Sequence, residues 1–112
     1  MTEAQLLQAI LEAYGAQPDL RIQRIQIGAA HDPSTGQVVR FGQPGWADLL
    51  VRCGPIAGDL EIKAPTGRQS APQRAWEATL HAIGARYYLV RSLSDADAAV
   101  AELRALAARL HP

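Results

Sequence analysis

Apolar positions recur with helical spacing at Leu6, Leu7, Ile10, Leu11 and Tyr14, which predicts a helix over residues 3–14 capped by Thr2 and stopped by Gly15. The period then changes. Over residues 19–28 (DLRIQRIQIG), Leu20 and Ile22, and after a slip near Arg24 also Ile25 and Ile27, alternate with polar residues, as expected of one strand carrying a bulge. The HDPSTG segment at 31–36 has turn chemistry, and Val38 to Phe41 reads as a short strand. After GQPG at 42–45, the run from Trp46 to Cys53 is apolar except for Asp48 and Arg52, the composition of a strand covered on both faces. A turn over Gly54 to Gly58 leads to a partner strand from Asp59 to Ala64, ended by Pro65. These two strands form a hairpin that brings Asp48 toward Glu61.

Ser70 is placed to cap a second helix, with Pro72 tolerated in its first turn, an apolar row at Trp76, Leu80 and Ile83, and Gly84 as its stop. Tyr87 to Arg91 (YYLVR) reads as a buried strand. Ser94 is expected to cap a last helix, acidic at its start through Asp95 and Asp97 and apolar at Ala96, Ala99, Val100, Leu103, Leu106 and Leu110. The order is α-β-β-β-β-α-β-α. The strand, helix and strand over 59–91 predict a right-handed parallel crossover, and with it an α/β domain whose mixed central sheet is flanked by helices.

Composition narrows this picture. A chain of 112 residues supports one core, so 1–112 is read as a single domain. Apolar residues at 48% and charged ones at 20% are ordinary globular usage, which excludes a disordered tail protein. No apolar run approaches the roughly 20 residues of a bilayer span, and MTEAQLLQAI lacks the layout of a signal peptide, so a cytoplasmic protein without a membrane partner is expected. Cys53 has no second thiol to pair with and reads as a small buried hydrophobe; His31, His81 and His111 have no zinc or catalytic spacing and read as loop, helix-surface and tail residues. Trp46 and Trp76 read as core. Eleven basic residues balance eleven acidic ones, so any polyanion must be held by a local patch.

The candidate chemistry gathers around Lys63, the only lysine among eleven basic residues. In an extended strand Glu61 and Lys63 project to one side while Ile62 turns into the core. Asp48 is a carboxylate inside an apolar strand, and burying it unpaired would cost several kcal/mol or force it to hold a proton. Two carboxylates converging across a hairpin repel unless a cation lies between them, and a hard divalent ion such as Mg²⁺ favours oxygen ligands. The competing reading makes Glu61 and Lys63 a surface ion pair and joins Asp48 to Arg52. Glu3 shares a helical row with Leu7, Ile10 and Tyr14, which adds a third carboxylate on the core side, although a helix N-terminus alone would also favour it. Gln73 lies one turn before Trp76 and is expected to face the sheet. Arg68 and Arg74 bracket the start of that helix, where backbone N–H groups favour anions.

Three segments together, GWAD ending at Asp48, EIK ending at Lys63 with APTGRQSAPQ running on to Gln73, and GARYYLVRS at 84–92, resemble the VRR-NUC (virus-type replication-repair nuclease) domain of the PD-(D/E)XK nuclease superfamily. The resemblance runs from Glu3 to about Asp97. It implies a restriction-endonuclease-like core, a metal-dependent DNA endonuclease using Mg²⁺ or Mn²⁺, a preference for branched DNA such as four-way junctions, and a homodimer. It implies that Asp48, Glu61 and the backbone carbonyl of Ile62 bind the metal and that Lys63 positions the attacking water. Glu3 and Gln73 are implied to support metal, water or phosphate binding, with Arg68 and Arg74 on the DNA backbone. Ala47 stands where the family often has proline. Two other classes stay open: a non-catalytic DNA-binding or assembly subunit of the same fold, and a ligand-binding α/β module whose charges form surface pairs.

Overall fold

The computed structural model describes residues 1–110; His111, expected in a tail, lies outside them. The elements in chain order are α1 (Glu3–Tyr14), β1 (Leu20–Arg24), β2 (Gly28–His31), β3 (Val38–Phe41), β4 (Leu49–Cys53), β5 (Ile56–Ile62), α2 (Ala71–Ala82), β6 (Arg86–Val90) and α3 (Leu93–Leu110). The described residues form a mixed α/β fold with three helices and a central four-stranded sheet ordered β1-β4-β5-β6. β4 runs antiparallel to β1 and β5, whereas β5 and β6 are parallel, as the crossover through α2 predicts. No helix among the described residues is long and apolar enough to cross a membrane.

Alternation along β5 divides the sheet into two faces. Ile56, Leu60 and Ile62 join Leu49, Val51 and Cys53 of β4, Leu20 of β1 and Val90 of β6 in one buried cluster. Leu6 and Ile10 of α1 and Ala96, Val100 and Leu103 of α3 close it from above. Each large aliphatic side chain removed from water there contributes about 1.5–3 kcal/mol. The opposite face carries Asp59 and Glu61 and is covered by α2, whose Trp76 donates its indole N–H to Asp59 Oδ2 at 3.1 Å. β4 is therefore covered fully on one side only, since Leu50 is half-buried and Arg52 exposed.

Several local expectations are corrected. There are five strands before α2, not four: the segment read as one bulged strand leaves the sheet near Arg24 and begins a separate ribbon, β2 paired antiparallel with β3. The Ile25 N–H still bonds the Asp48 carbonyl at 2.8 Å, one step beyond the Arg24–Leu49 pair, and the chain leaves the sheet after it. His31 accordingly ends a strand and does not lie in a loop, while His81 is exposed on α2 as expected. The turn read as Gly54 to Gly58 is shorter, because β5 starts at Ile56, and Ile62 ends the strand one residue before Lys63. The cap of α3 is Ser92, whose Oγ accepts from Asp95 N–H at 3.1 Å; Ser94 lies inside the helix. Leu110 and Ile83, expected on apolar rows, are exposed. Thr2 and Ser70 cap α1 and α2 as read, each within a reciprocal capping box with the glutamine three residues on.

The GQPG break positions the start of β4. Gly45 has φ of 95°, and a Cβ there would lie 2.2 Å from the Pro72 carbonyl oxygen, so only glycine lets this loop seat on the first turn of α2. Gly36 has a similar φ of 74° but open space around it. Gly45→Ala is expected to lose more than about 3 kcal/mol or to prevent folding, whereas Gly36→Ala loses about 1 kcal/mol from backbone strain alone. Urea unfolding of the two variants checks the difference, and equal losses would refute the close packing of this loop on α2.

Candidate active site

The register Leu49↔Leu60, extended by one residue, sets Asp48 opposite Glu61 on the face beneath α2. The Asp48 backbone N–H donates to the Leu60 carbonyl at 3.1 Å, and its carboxylate Oδ2 accepts from Ile62 N–H at 2.7 Å. Asp48 is thus fixed by the backbone of the strand it faces. Ile62 points its side chain into the core as expected.

Glu61 is the one buried charged side chain among the described residues, with 0% exposure. Neither of its carboxylate oxygens has a hydrogen-bond partner. Burial raises its pKa most, to about 9, with further upward pushes from a hydrogen bond to Asp48 and from the charges of Asp48 and Glu3, while Lys63 opposes them. The bond with Asp48 and the missing partners describe different protonation states, because two ionised carboxylates only accept and one must carry a proton before they bond. Asp48 and Glu61 are the two side chains here that could hold a divalent cation between them.

Lys63 continues the ladder beyond β5, its N–H donating to the Val90 carbonyl at 3.0 Å. It acts on Glu61 through its charge without a direct ion pair. The surface pairs Glu61–Lys63 and Asp48–Arg52 do not form; the one ion pair among the described residues is Arg104 with Asp19, 2.8 Å apart. The loop after Lys63 is held from two sides. Glu3 Oε1 accepts from Ala64 N–H at 3.2 Å, and Arg91 Nη1 donates to the carbonyls of Ala64 and Gly67 at 2.8 and 2.7 Å and of Pro65 at 3.3 Å.

Glu3 is therefore exposed and bonded to backbone, a correction to its expected place on the core side. No group of three or more His, Cys, Asp or Glu side chains able to share an ion occurs among the described residues, so Glu3 does not complete a triad with Asp48 and Glu61. Gln73 is also reassigned: its Oε1 accepts from Ser70 N–H at 2.8 Å, closing the capping box where a sheet-facing amide was expected. Arg68 and Arg74 are exposed at the start of α2, and Arg74 Nη1 donates to the Gln69 carbonyl at 2.7 Å. Cys53 is buried. Trp46 and Trp76 are half-buried with ring centroids 6.2 Å apart, and the Trp46 indole N–H is buried without a partner.

Two residues escaped sequence reasoning. Arg91 looks like the end of a strand, and its three carbonyl partners lie more than twenty positions away. Tyr87 pairs with Asp59 in the parallel register and so shares the Glu61 face; its hydroxyl accepts from Gln69 Nε2 at 3.0 Å. Its phenol is pushed up chiefly by burial and further by the charges of Glu61, Glu77 and Asp48. Period-2 alternation on β6 was the available signal for Tyr87; none existed for Arg91.

No protein-family model matches the chain, and a search of curated proteins finds no match to it.

The raised pKa of Glu61 links stability to pH. The folded protein keeps a proton that the unfolded chain releases near pH 4.3, so this group's contribution is fully present below that pH and lost as pH rises toward about 9. The slope reaches at most about 1.4 kcal/mol per pH unit. In metal-free buffer the urea midpoint is expected to fall between pH 6 and 9, and Glu61→Gln, which carries no charge to bury, flattens the profile and exceeds wild type at pH 8. A profile unchanged by Glu61→Gln would contradict the burial.

Proposed function

We propose that the chain is a divalent-metal-dependent phosphodiesterase that cuts DNA. The observation that carries the proposal is Glu61: a carboxylate with no exposure, no partner for either oxygen, and a second carboxylate facing it. Retaining such a group for stability alone is unfavourable, since well-packed neutral side chains of similar volume do as well or better. An all-oxygen pair suits a hard ion, Mg²⁺ or Mn²⁺, held by Asp48 and Glu61. When bound, the ion would lower the pKa of an attacking water and neutralise charge on the phosphate.

The protein's own groups supply the remaining work. Lys63, free of an ion pair in this structure, would orient the water and add positive charge where the phosphoryl oxygens gain negative charge. Glu3 and Arg91 hold the loop that fixes Lys63, so they act as positioning residues. Arg68 and the N-terminus of α2 lie where an anionic backbone would be favoured, with Arg74 beside them. Substrate class comes from the resemblance of the GWAD, EIK and GARYYLVRS segments to VRR-NUC nucleases. A restriction-endonuclease-like core, preference for branched DNA, a homodimer and a cytoplasmic location are proposed on the same basis; pairing two protomers would also double the positive surface that a neutral chain offers to DNA.

Purified protein with Mg²⁺ or Mn²⁺ is expected to cleave labelled DNA, with branched substrates cut faster than linear ones. Asp48→Ala and Lys63→Ala each lower the rate by about 100-fold or more. Equal cleavage by wild type and both variants would end the assignment, and DNA binding without cleavage would favour a non-catalytic subunit.

A further inference from the structure

The β2–β3 ribbon has no part in the chemistry above. Among the described residues it packs on no other helix or strand, and a lone two-stranded ribbon is at best marginally stable in water. Cross-strand partners share a side, so the register places Gly28, Phe41, Ala30 and Val39 on one face and Ala29, Arg40, His31 and Val38 on the other. The first face is wholly apolar, yet Phe41 and Val39 stay 42% and 52% exposed. Phe41 reaches across to Gly28, where a Cβ would lie 2.9 Å from the ring's Cζ, so the glycine leaves room for the aromatic ring.

The root of this ribbon borders a cleft of about 350 Å³ lined by residues that include Arg24, Gln26, Ile27, Phe41, Trp46 and Asp48. An exposed phenylalanine, an isoleucine, an arginine and the aspartate of the candidate active site therefore line one hollow. The bond from Ile25 N–H to the Asp48 carbonyl ties the backbone of its wall to the site. Charge points the same way. Segment 24–41 carries Arg24, which lines the cleft, and Arg40, on the other face of the ribbon, against a single acid, Asp32, whose Oδ1 is engaged by the N–H and hydroxyl of Ser34 at 2.9 and 2.8 Å.

We propose that this cleft receives one unpaired nucleotide of the substrate strand, its base against Phe41 and Ile27 and its phosphate toward Arg24, setting the adjoining phosphodiester beside Asp48. The proposal rests on the nuclease reading and names the substrate feature it recognises. A base inside a duplex offers only its edges, because its faces are covered by its neighbours, so an apolar and aromatic wall engages only a base that has left the stack. The volume falls at the lower end of the roughly 300–1,000 Å³ typical of small-ligand sites and suits a single nucleotide. Stacking on an aromatic ring is tolerant of sequence, so the pocket selects for an unpaired position and not for a particular base.

The test reads binding without divalent ions, using a duplex with one unpaired 2-aminopurine and the fully paired equivalent. Wild type binds the unpaired form more tightly and changes the 2-aminopurine fluorescence. Phe41→Ala lowers that affinity about tenfold, the scale of one lost base–aromatic stack, and leaves paired-duplex binding unchanged. Phe41→Trp keeps the preference, and Phe41→Leu, which keeps an apolar side chain over Gly28, loses it with the same melting temperature as wild type. Equal losses on both duplexes, or none, overturn the pocket; conversion of a dimer to a monomer by Phe41→Leu without change in preference reassigns the face to an interface between copies. Wild type that prefers the unpaired base but never cleaves sinks the nuclease reading alone. Cleavage without the preference sinks only the pocket.

Discussion

The burial of Glu61 is the constraint around which this small protein is arranged. A carboxylate shut from water without a hydrogen bond is stable only if it keeps a proton or gains a cation, and each alternative draws on its neighbours. Asp48 faces it across the hairpin, with one oxygen already committed to the Ile62 N–H. Lys63 lies near enough to favour the ionised form, and Asp48 and Glu3 oppose it. The balance favours the protonated state of Glu61, and the proposed function rests on a cation taking the place of that proton.

The scaffold keeps this site rigid by separating its two tasks between the two faces of one strand. Leu60 and Ile62 lock β5 into the apolar core under α1 and α3, and the alternating Asp59 and Glu61 are thereby held on the other face, where Trp76 of α2 bonds Asp59. β5 is paired on both edges, so the Glu61 backbone cannot shift without breaking the ladder. Beyond the strand, where the sheet no longer supports the chain, Glu3 and Arg91 take over by binding the backbone of residues 64–67. Charged side chains from opposite ends of the sequence thus support the turn that carries Lys63. The close seat of Gly45 on α2 plays the matching role for Asp48.

Sequence reasoning recovered the features that depend on local period and local capping. Alternation placed Glu61 opposite in sense to Ile62, the apolar run and its following turn gave the hairpin that joins Asp48 to Glu61, and Thr2 and Ser70 capped the helices expected of them. It failed where a long-range bond decides between two locally acceptable choices. Ile25 and Ile27 resume an alternation after the slip near Arg24, and only the pairing of residues 28–31 with 38–41 shows that the chain has begun a separate ribbon there. Gln73 sits on the right helical row, but its Oε1 accepts from Ser70 N–H, a capping bond that the S-x-x-Q spacing signals. Glu3 lies near enough for its charge to act on Glu61, but its carboxylate is exposed and bonded to the Ala64 N–H, because helical spacing gives direction and not reach.

The central claim, that the buried Glu61 carboxylate is held in readiness for a divalent ion, is tested most directly by calorimetric titration of Mn²⁺ into wild type and Glu61→Gln at pH 8. The predicted result is saturable binding to the wild type and at least about tenfold weaker binding to the variant, the scale expected for loss of a charged ligand. Equal affinity in the two proteins, or no binding to a folded wild type, would contradict it.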